Sequence, residues 1–401
     1  MTNSSQYDVI VIGLGAMGSA SVYQLARAGK RVLGIDQFHP PHTHGSSHGE
    51  TRITRLAIGE GAAYTPFAIR SHELWREFER ETSEKMLFPI GGLIIGDRHS
   101  TGRFHNKSDF LGTTIAAANH YGVRHEMLSS SDLRARFPQF ATGKEESAYF
   151  EPDAGYLKPE VCVKVQIELA KKYGATLRLG ERVKELEETA HGGIEVLTDG
   201  TRYSAEQLVV TAGPWLQSIF PRKFPSLGVT RQTLYWFPIK ERHELFEPGR
   251  CPVFIWPFSD AESGIYGFPA IDGRDGGIKV ASESYGDLVD PDNVPREVSP
   301  ADTRNFYETH LSGRMPLLGA SNLRSTTCLY TVTPNSDFLI GRLPQMPQCI
   351  VVSACSGHGF KHSAAVGETV AELVTRDSSR LSIAPFAIIP GSTYSREIST
   401  E

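Results

Sequence analysis

The chain has 401 residues, more than a single domain of ~100–200 residues needs, so two closely packed domains are expected. Its 40% hydrophobic and 22% charged residues suffice for a sizeable core, and a formal net charge of −5 without long like-charged blocks argues against nucleic acid or a membrane surface as partner. No apolar run approaches the ~20 residues of a membrane span, and neither the polar start Met1-Thr2-Asn3-Ser4-Ser5 nor the end Ser399-Thr400-Glu401 reads as a targeting signal.

Residues 7–12, rich in Val and Ile, read as a buried parallel strand. Gly13-Leu14-Gly15-Ala16-Met17-Gly18 follows, then an expected helix over 19–28 that stops at Gly29, and a second apolar strand over 31–35 that ends at Asp36. In such a βαβ unit Gly13 permits the tight turn, Gly15 lets the backbone approach a pyrophosphate, and Gly18 lets helix pack on strand. The free N–H groups of the helix N-terminus, with Ala16 and Met17 in the turn before it, then face the phosphates. Asp36, 18 residues after Gly18, is placed to accept a hydrogen bond from a ribose hydroxyl. The motif predicts dinucleotide binding without separating NAD from FAD. Residues 38–50 hold too much Pro, His, Gly and Ser for regular structure, and their histidines lack both helical spacing and partner carboxylates, so no metal site is expected.

An amphipathic helix is expected over 64–84, covering the sheet. The middle of the chain alternates: a helix over 161–173, a strand over 176–179, a hairpin from 193–197 and 201–204, and a buried strand over 207–211. From 231 to 280 the pattern turns β-rich, which suggests a separate antiparallel sheet and a wall for a ligand pocket. A strand over 349–354, a glycine turn and a helix over 360–375 close the chain. The expected class is α/β: a Rossmann-type nucleotide-binding domain from 1–88, 148–218 and 321–401, interrupted by an α+β substrate domain from 89–147 and 219–320 with a mostly antiparallel sheet. Five cysteines, odd in number and without a Cys-x-x-Cys pair, fit neither a disulfide framework nor a zinc cage, and a reducing cytoplasm suits them best.

His44-Gly45-Ser46-Ser47-His48-Gly49-Glu50-Thr51-Arg52-Ile53-Thr54-Arg55 resembles the signature after the second strand of the monomeric sarcosine, N-methyltryptophan and pipecolate oxidases. These are FAD-dependent amine oxidases of the D-amino-acid-oxidase superfamily. Further segments are similar to that family in the same order: Thr211-Ala212-Gly213-Pro214-Trp215, then Ile265-Tyr266-Gly267-Phe268-Pro269 with Ile278-Lys279-Val280. Thr327-Cys328-Leu329-Tyr330-Thr331, Pro334-Asn335-Ser336-Asp337-Phe338 and Ser356-Gly357-His358-Gly359-Phe360-Lys361 continue the match to the end of the chain.

The resemblance implies FAD as the cofactor, joined through an accessible, deprotonated Cys328 to the flavin 8α carbon. It puts His48 and Arg52 at the isoalloxazine edge, and Gly357, His358, Gly359 and Lys361 on a loop that contacts the flavin. Arg55 and Lys361 would grip the substrate carboxylate, Arg by its fork and Lys as a point charge. Tyr266 and Tyr330 would wall the pocket, and the cation of a partly desolvated Lys279 would promote reduction of oxygen. The implied activity is oxidation of the C–N bond of a secondary amino acid by hydride transfer to FAD, with O2 reduced to H2O2, in a monomer. One residue departs from the pattern. Four positions after Lys279 these oxidases carry a histidine, and here stands Glu283. An acid at this spacing is similar to the fructosyl amino acid oxidases (amadoriases), so deglycation of Amadori compounds is the alternative, ahead of an FAD-dependent amine dehydrogenase.

Overall fold

In the computed structural model, which describes residues 6–388 apart from 98–103, 222, 225, 259–263 and 287, the strand Tyr7–Ile12 lies at the middle of an eight-stranded sheet. Val9 to Ile12 are buried, as a parallel strand covered on both faces requires. The strand pairs in parallel with Val32–Asp36 on one side and Arg202–Val210 on the other. Val32–Asp36 pairs onward with Thr176–Leu179. The far edge of Arg202–Val210 is shared: its start pairs antiparallel with Ile194–Thr198, and its end pairs parallel with Met346–Ser353.

The helix after the glycine turn runs over Ala16–Arg27, three residues earlier than the sequence pattern suggested. The turn requires this, because the N-terminal N–H groups of the helix must face the cleft at Gly15, which is its extended N-cap. Gly13 has φ +85°, and a Cβ there would stand 2.7 Å from Thr211 O. A Cβ on Gly18 would stand 1.7 Å from Gly13 O, so helix and strand close only on glycine. Helices Pro159–Lys172 and Ser363–Arg376 pack against Ala16–Arg27, and Thr65–Thr82 packs on Ser363–Arg376. Their apolar faces form one continuous core with the sheet.

A second eight-stranded sheet runs in the order Arg324–Val332, Gly228–Phe237, Ile278–Ser282, Gly264–Phe268, Val253–Pro257, Gly92–Asp97, Glu146–Glu151, Glu126–Leu128. It is antiparallel except where Val253–Pro257 meets Gly92–Asp97. Glu146–Glu151 and Arg324–Val332 belong to this sheet, although the boundaries drawn at 148 and 321 put most or all of each on the nucleotide side. Their alternating apolar pattern does not say which sheet a strand will join; pairing with Gly92–Asp97 and Gly228–Phe237 decides it. A three-stranded sheet of Arg52–Thr54, Gly155–Leu157 and Leu87–Phe88 lies between the sequence segments of the two larger ones. Along the sequence the strands alternate between the two large sheets, so the chain passes from one to the other four times.

Candidate active site

A cleft of about 1340 Å³ opens over the C-terminal ends of the first sheet's parallel strands, where nucleotide ligands sit in open α/β sheets. Gly13, Gly15, Ala16 and Met17 line one end, with Asp36, Phe38 and His42 beside them. Asp36 is buried and accepts Leu14 N–H (2.7 Å) and Phe38 N–H (2.8 Å), which fix it at the rim and leave its remaining lone pairs for a hydroxyl. Ser47 Oγ accepts Ala16 N–H at 3.1 Å, so a side-chain oxygen already stands at the helix N-terminus. The cleft extends past Trp215 to Tyr330, Cys355, Gly357 and Gly359. A glycine cradle, a helix N-terminus opening on the cleft and this length fit an extended dinucleotide.

The loop from His44 to Arg52 forms the middle of this cleft and is pinned from several sides. Glu160 accepts Gly49 N–H (2.6 Å) and Glu50 N–H (3.1 Å), and Arg324 pairs with Glu50. Gly49 has φ +101° and Glu50 φ +70°, so two successive left-handed residues turn the carbonyls inward. Lys279 collects them. Its Nζ donates to Gly49 O (2.7 Å), Thr51 O (2.9 Å) and Thr51 Oγ1 (2.8 Å).

Burial, reinforced by Arg52, holds Lys279 well below the ordinary lysine range. His48 is neutral: burial first, then Arg52, lowers it to about 3, and its Nε2 is buried without a partner. Arg52 donates to Ser46 O (2.8 Å) and Thr51 O (3.0 Å) and lines the junction with the next cavity.

That second cavity, about 530 Å³ with its open mouth included, shares Arg52, Tyr330, Gly357 and Phe360 with the first. Tyr266 and Tyr330, on strands Gly264–Phe268 and Arg324–Val332, bring their hydroxyls to 3.3 Å on its wall. Cys328 lines it as well. Cys328 is closed to solvent outside the cavity, at 1% exposure, and burial pushes its thiol up against the opposing pull of Arg52 and Lys279.

Among the described residues, the lining side chains include the basic residues Arg52, His105 and Lys361 and no Asp or Glu. The carboxylates stand behind them. Fully buried Glu60 meets Lys361 Nζ at 3.2 Å, Arg55 Nη2 at 2.5 Å and His105 Nδ1 at 3.0 Å. Burial alone would favour the acid form of Glu60, but Arg55 and Lys361 outweigh it and hold the carboxyl well below its usual range. Lys361 also donates to His358 O at 2.9 Å, and burial lowers it to about 8 against the pull of Glu60. Arg55, expected beside the substrate, sits in the row behind: it pairs with Glu60 and donates to Ala57 O, and it does not line this cavity. Glu283 follows the end of strand Ile278–Ser282 and is also set back, 2.5 Å from His105 Nε2. His358, on the loop before Phe360, lines the cavity and bonds Ser336 O at 2.9 Å.

Sequence reasoning missed Glu60, His105, Glu160 and Thr51. Thr51 lay inside a quoted motif; the other three carry no periodic or motif signal.

A profile of the FAD dependent oxidoreductase family, DAO, matches residues 8–373. The monomeric sarcosine oxidase of Streptomyces avermitilis is 38% identical over 373 residues, which span 92% of this chain and 94% of that protein. The N-methyl-L-tryptophan oxidase of Yersinia pestis is 34% identical over 386 residues, spanning 95% of this chain and 98% of the relative. Among solved structures, the open form of NikD, an unusual amino acid oxidase essential for nikkomycin biosynthesis, has the same fold with a TM-score of 0.79 at 24% identity, covering 95% of this chain and 97% of that one.

Proposed function

The chain belongs to the FAD-dependent oxidoreductase family, and we propose that within it this enzyme oxidises the C–N bond of a secondary amino acid of the N-methyl or cyclic type, with oxygen as the final acceptor. One observation carries the reading: a cavity next to the nucleotide cleft has basic residues on its wall and their carboxylates behind. Such a wall takes a substrate carboxylate and turns an apolar, aromatic surface to the rest of the molecule. FAD, when bound, supplies the two-electron acceptor.

The residues of the chain do the rest. Lys361 holds the carboxylate, backed by Arg55 and Glu60, and thereby orients the carbon attached to nitrogen. Tyr266, Tyr330 and Phe268 exclude water around the amine, which must be neutral to release its hydride. Gly13, Gly15, Ala16, Asp36 and Arg52 are assigned to the cofactor, and Cys328 to the thioether. Lys279, with its amine fastened to Gly49 and Thr51, is assigned to the reaction with oxygen. The family's named monomeric members support a monomer, and five free cysteines support a reducing compartment such as the cytoplasm.

The amadoriase alternative required Glu283 to face the reacting amine. Its carboxylate is engaged with His105 and off the cavity wall, which favours the N-methyl or cyclic amino acid.

The deciding experiment is anaerobic mixing of the flavoprotein with sarcosine, N-methyltryptophan, pipecolate, proline and fructosyl-glycine while flavin absorbance is followed. Bleaching by one of the first three is expected; bleaching by fructosyl-glycine alone would make the enzyme an amadoriase. For the thioether, Cys328→Ala is expected to move the yellow colour from the acid pellet to the supernatant. Colour that stays in the pellet would assign the link elsewhere.

A further inference from the structure

His105 arrives from a part of the chain that no flavin or substrate motif touches. It sits on the loop after strand Gly92–Asp97, where Phe104 and Lys107 form an isolated bridge. His105, Asn106 and Asp109 all have left-handed φ, at 51°, 56° and 50°, a backbone that non-glycine residues adopt only when surrounding contacts hold it. Those contacts come from the segments after two different strands. Asn106 Nδ2 donates to Ser336 Oγ at 3.1 Å and Lys107 pairs with Asp337 at 2.8 Å, while His105 N–H donates to Glu283 Oε2 at 3.0 Å. The loop therefore bridges the edge of the second cavity and presents the His105 ring to it.

Both ring nitrogens lie at ion-pair distance from a carboxylate, Nδ1 from Glu60 (3.0 Å) and Nε2 from Glu283 (2.5 Å). Neither His105 Nδ1 nor Glu283 Oε1 makes an aligned hydrogen bond, so charge rather than directionality binds them. A neutral imidazole would turn a lone pair toward one of the two anions; the imidazolium satisfies both. Burial opposes that charge, but Glu283 and then Glu60 outweigh it and raise the ring above the ordinary imidazole range.

Other groups face the ring. Buried His358, its centroid 5.2 Å away, is kept neutral by burial, Tyr285 lies against Glu283, and Phe104 and Phe110 supply ring edges. Within the network around Glu60 and Glu283, the cations of Arg55, Lys361 and His105 outnumber the two carboxylates by one. Arg52 also lines the cavity, at its junction with the nucleotide cleft, where it donates to Ser46 O and Thr51 O.

We propose that His105 is a specificity-determining residue of the substrate cavity, held as a cation by the positioning residue Glu283, and that the single excess charge of this Glu60–Glu283 network, at the end of the cavity away from Arg52's junction with the nucleotide cleft, selects amino acids with one carboxylate. One carboxylate neutralises the buried excess; a second would be buried without a partner. The inference rests on the reading of this cavity as the substrate site. It gives Glu283 a role that has nothing to do with a sugar amine.

The test is titration of the oxidised holoenzyme with acetate and with malonate across pH, read by the perturbation of the flavin spectrum. Wild type is expected to bind acetate about tenfold or more tighter than malonate. His105→Gln should weaken acetate about tenfold and erase the part of the pH profile that belongs to this imidazolium. Glu283→Gln should move that part to lower pH without erasing it, and below it malonate binding should improve. Unchanged acetate affinity and pH profile in H105Q would overturn the proposal. If H105Q does not fold, E283Q decides: a displaced profile supports the role and an unmoved one removes it. These titrations involve no turnover, so they stand or fall separately from the substrate panel.

Discussion

The nucleotide cleft and the cavity beside it share Arg52, Tyr330, Gly357 and Phe360, yet they are built from different materials. The cleft is built around backbone: a glycine turn in which neither Gly13 nor Gly18 has room for a Cβ, and N–H groups at a helix start. The cavity is made of buried charge, with Lys361, His105 and Arg55 meeting Glu60 within 3.2 Å. Backbone recognition depends on shape and is insensitive to pH. Buried charge is paid for in desolvation, stays balanced only while each partner is present, and changes with pH.

The comparison can be broken at either end. The largest effect is expected on the backbone side. Gly18→Ala puts a methyl 1.7 Å from Gly13 O, and the protein should accumulate with almost no flavin, measured as absorbance per chain after purification. Full flavin content in this variant would mean that the turn is not the cradle described.

Next in size is Lys279→Met, which removes the amine fastened between the two regions. Reoxidation of the reduced enzyme by oxygen should slow by about 100-fold or more, while reduction by substrate changes little; stopped-flow traces of the two half-reactions separate them. A reoxidation rate like that of wild type would remove Lys279 from the oxygen reaction.

On the charged side, Glu60→Gln leaves three buried cations short of a partner. It should cost about 3–5 kcal/mol in chemical denaturation of the holoprotein. A loss under about 1 kcal/mol would mean that the network is not held together by this carboxylate.

The smallest effect is the one in pH. Burial lowers Lys361 to about 8, so its cation is present below that pH and lost above it. Acetate affinity should therefore fall by up to about tenfold per unit above pH 8, a step that Lys361→Arg, which stays charged, should abolish. Persistence of the step in that variant would assign it to another group.

The two regions also differed in how far they could be read from the sequence. The glycine turn, Asp36 and the two strands around them lie within thirty consecutive residues, 7–36, so local pattern was enough to predict the βαβ unit and a dinucleotide as its ligand. Tyr266 and Lys279 were found through motif likeness, and the antiparallel register of their hairpin then puts them on one face. Cys328 and Tyr330 were found only through motif likeness, and likeness could not tell that the thiol is buried.

His105 and Glu60 were not legible at all. The hydrogen bond that joins the His105 loop to Glu283 spans 178 residues, and the loop has no periodicity to mark it. Glu283 itself stood out, but without its partner the sequence could assign it only to substrate. The displaced domain boundaries have the same origin, since strand Arg324–Val332 looks the same whichever sheet it completes.

Four passages between the two large sheets have a consequence for anyone who would take this molecule apart. Cutting the chain once separates neither sheet from the other, because the first has strands on both sides of any break between Ile12 and Met346 and the second on both sides of any break between Asp97 and Arg324. Removing the last strands to leave a smaller flavin carrier would take Met346–Ser353 out of the first sheet, and shortening the start would take its central strand. A minimal flavin-binding unit would have to be carved from the interior, with two excisions and two new short connections. Recombination with a distant relative would similarly have to exchange the interior segments as matched sets.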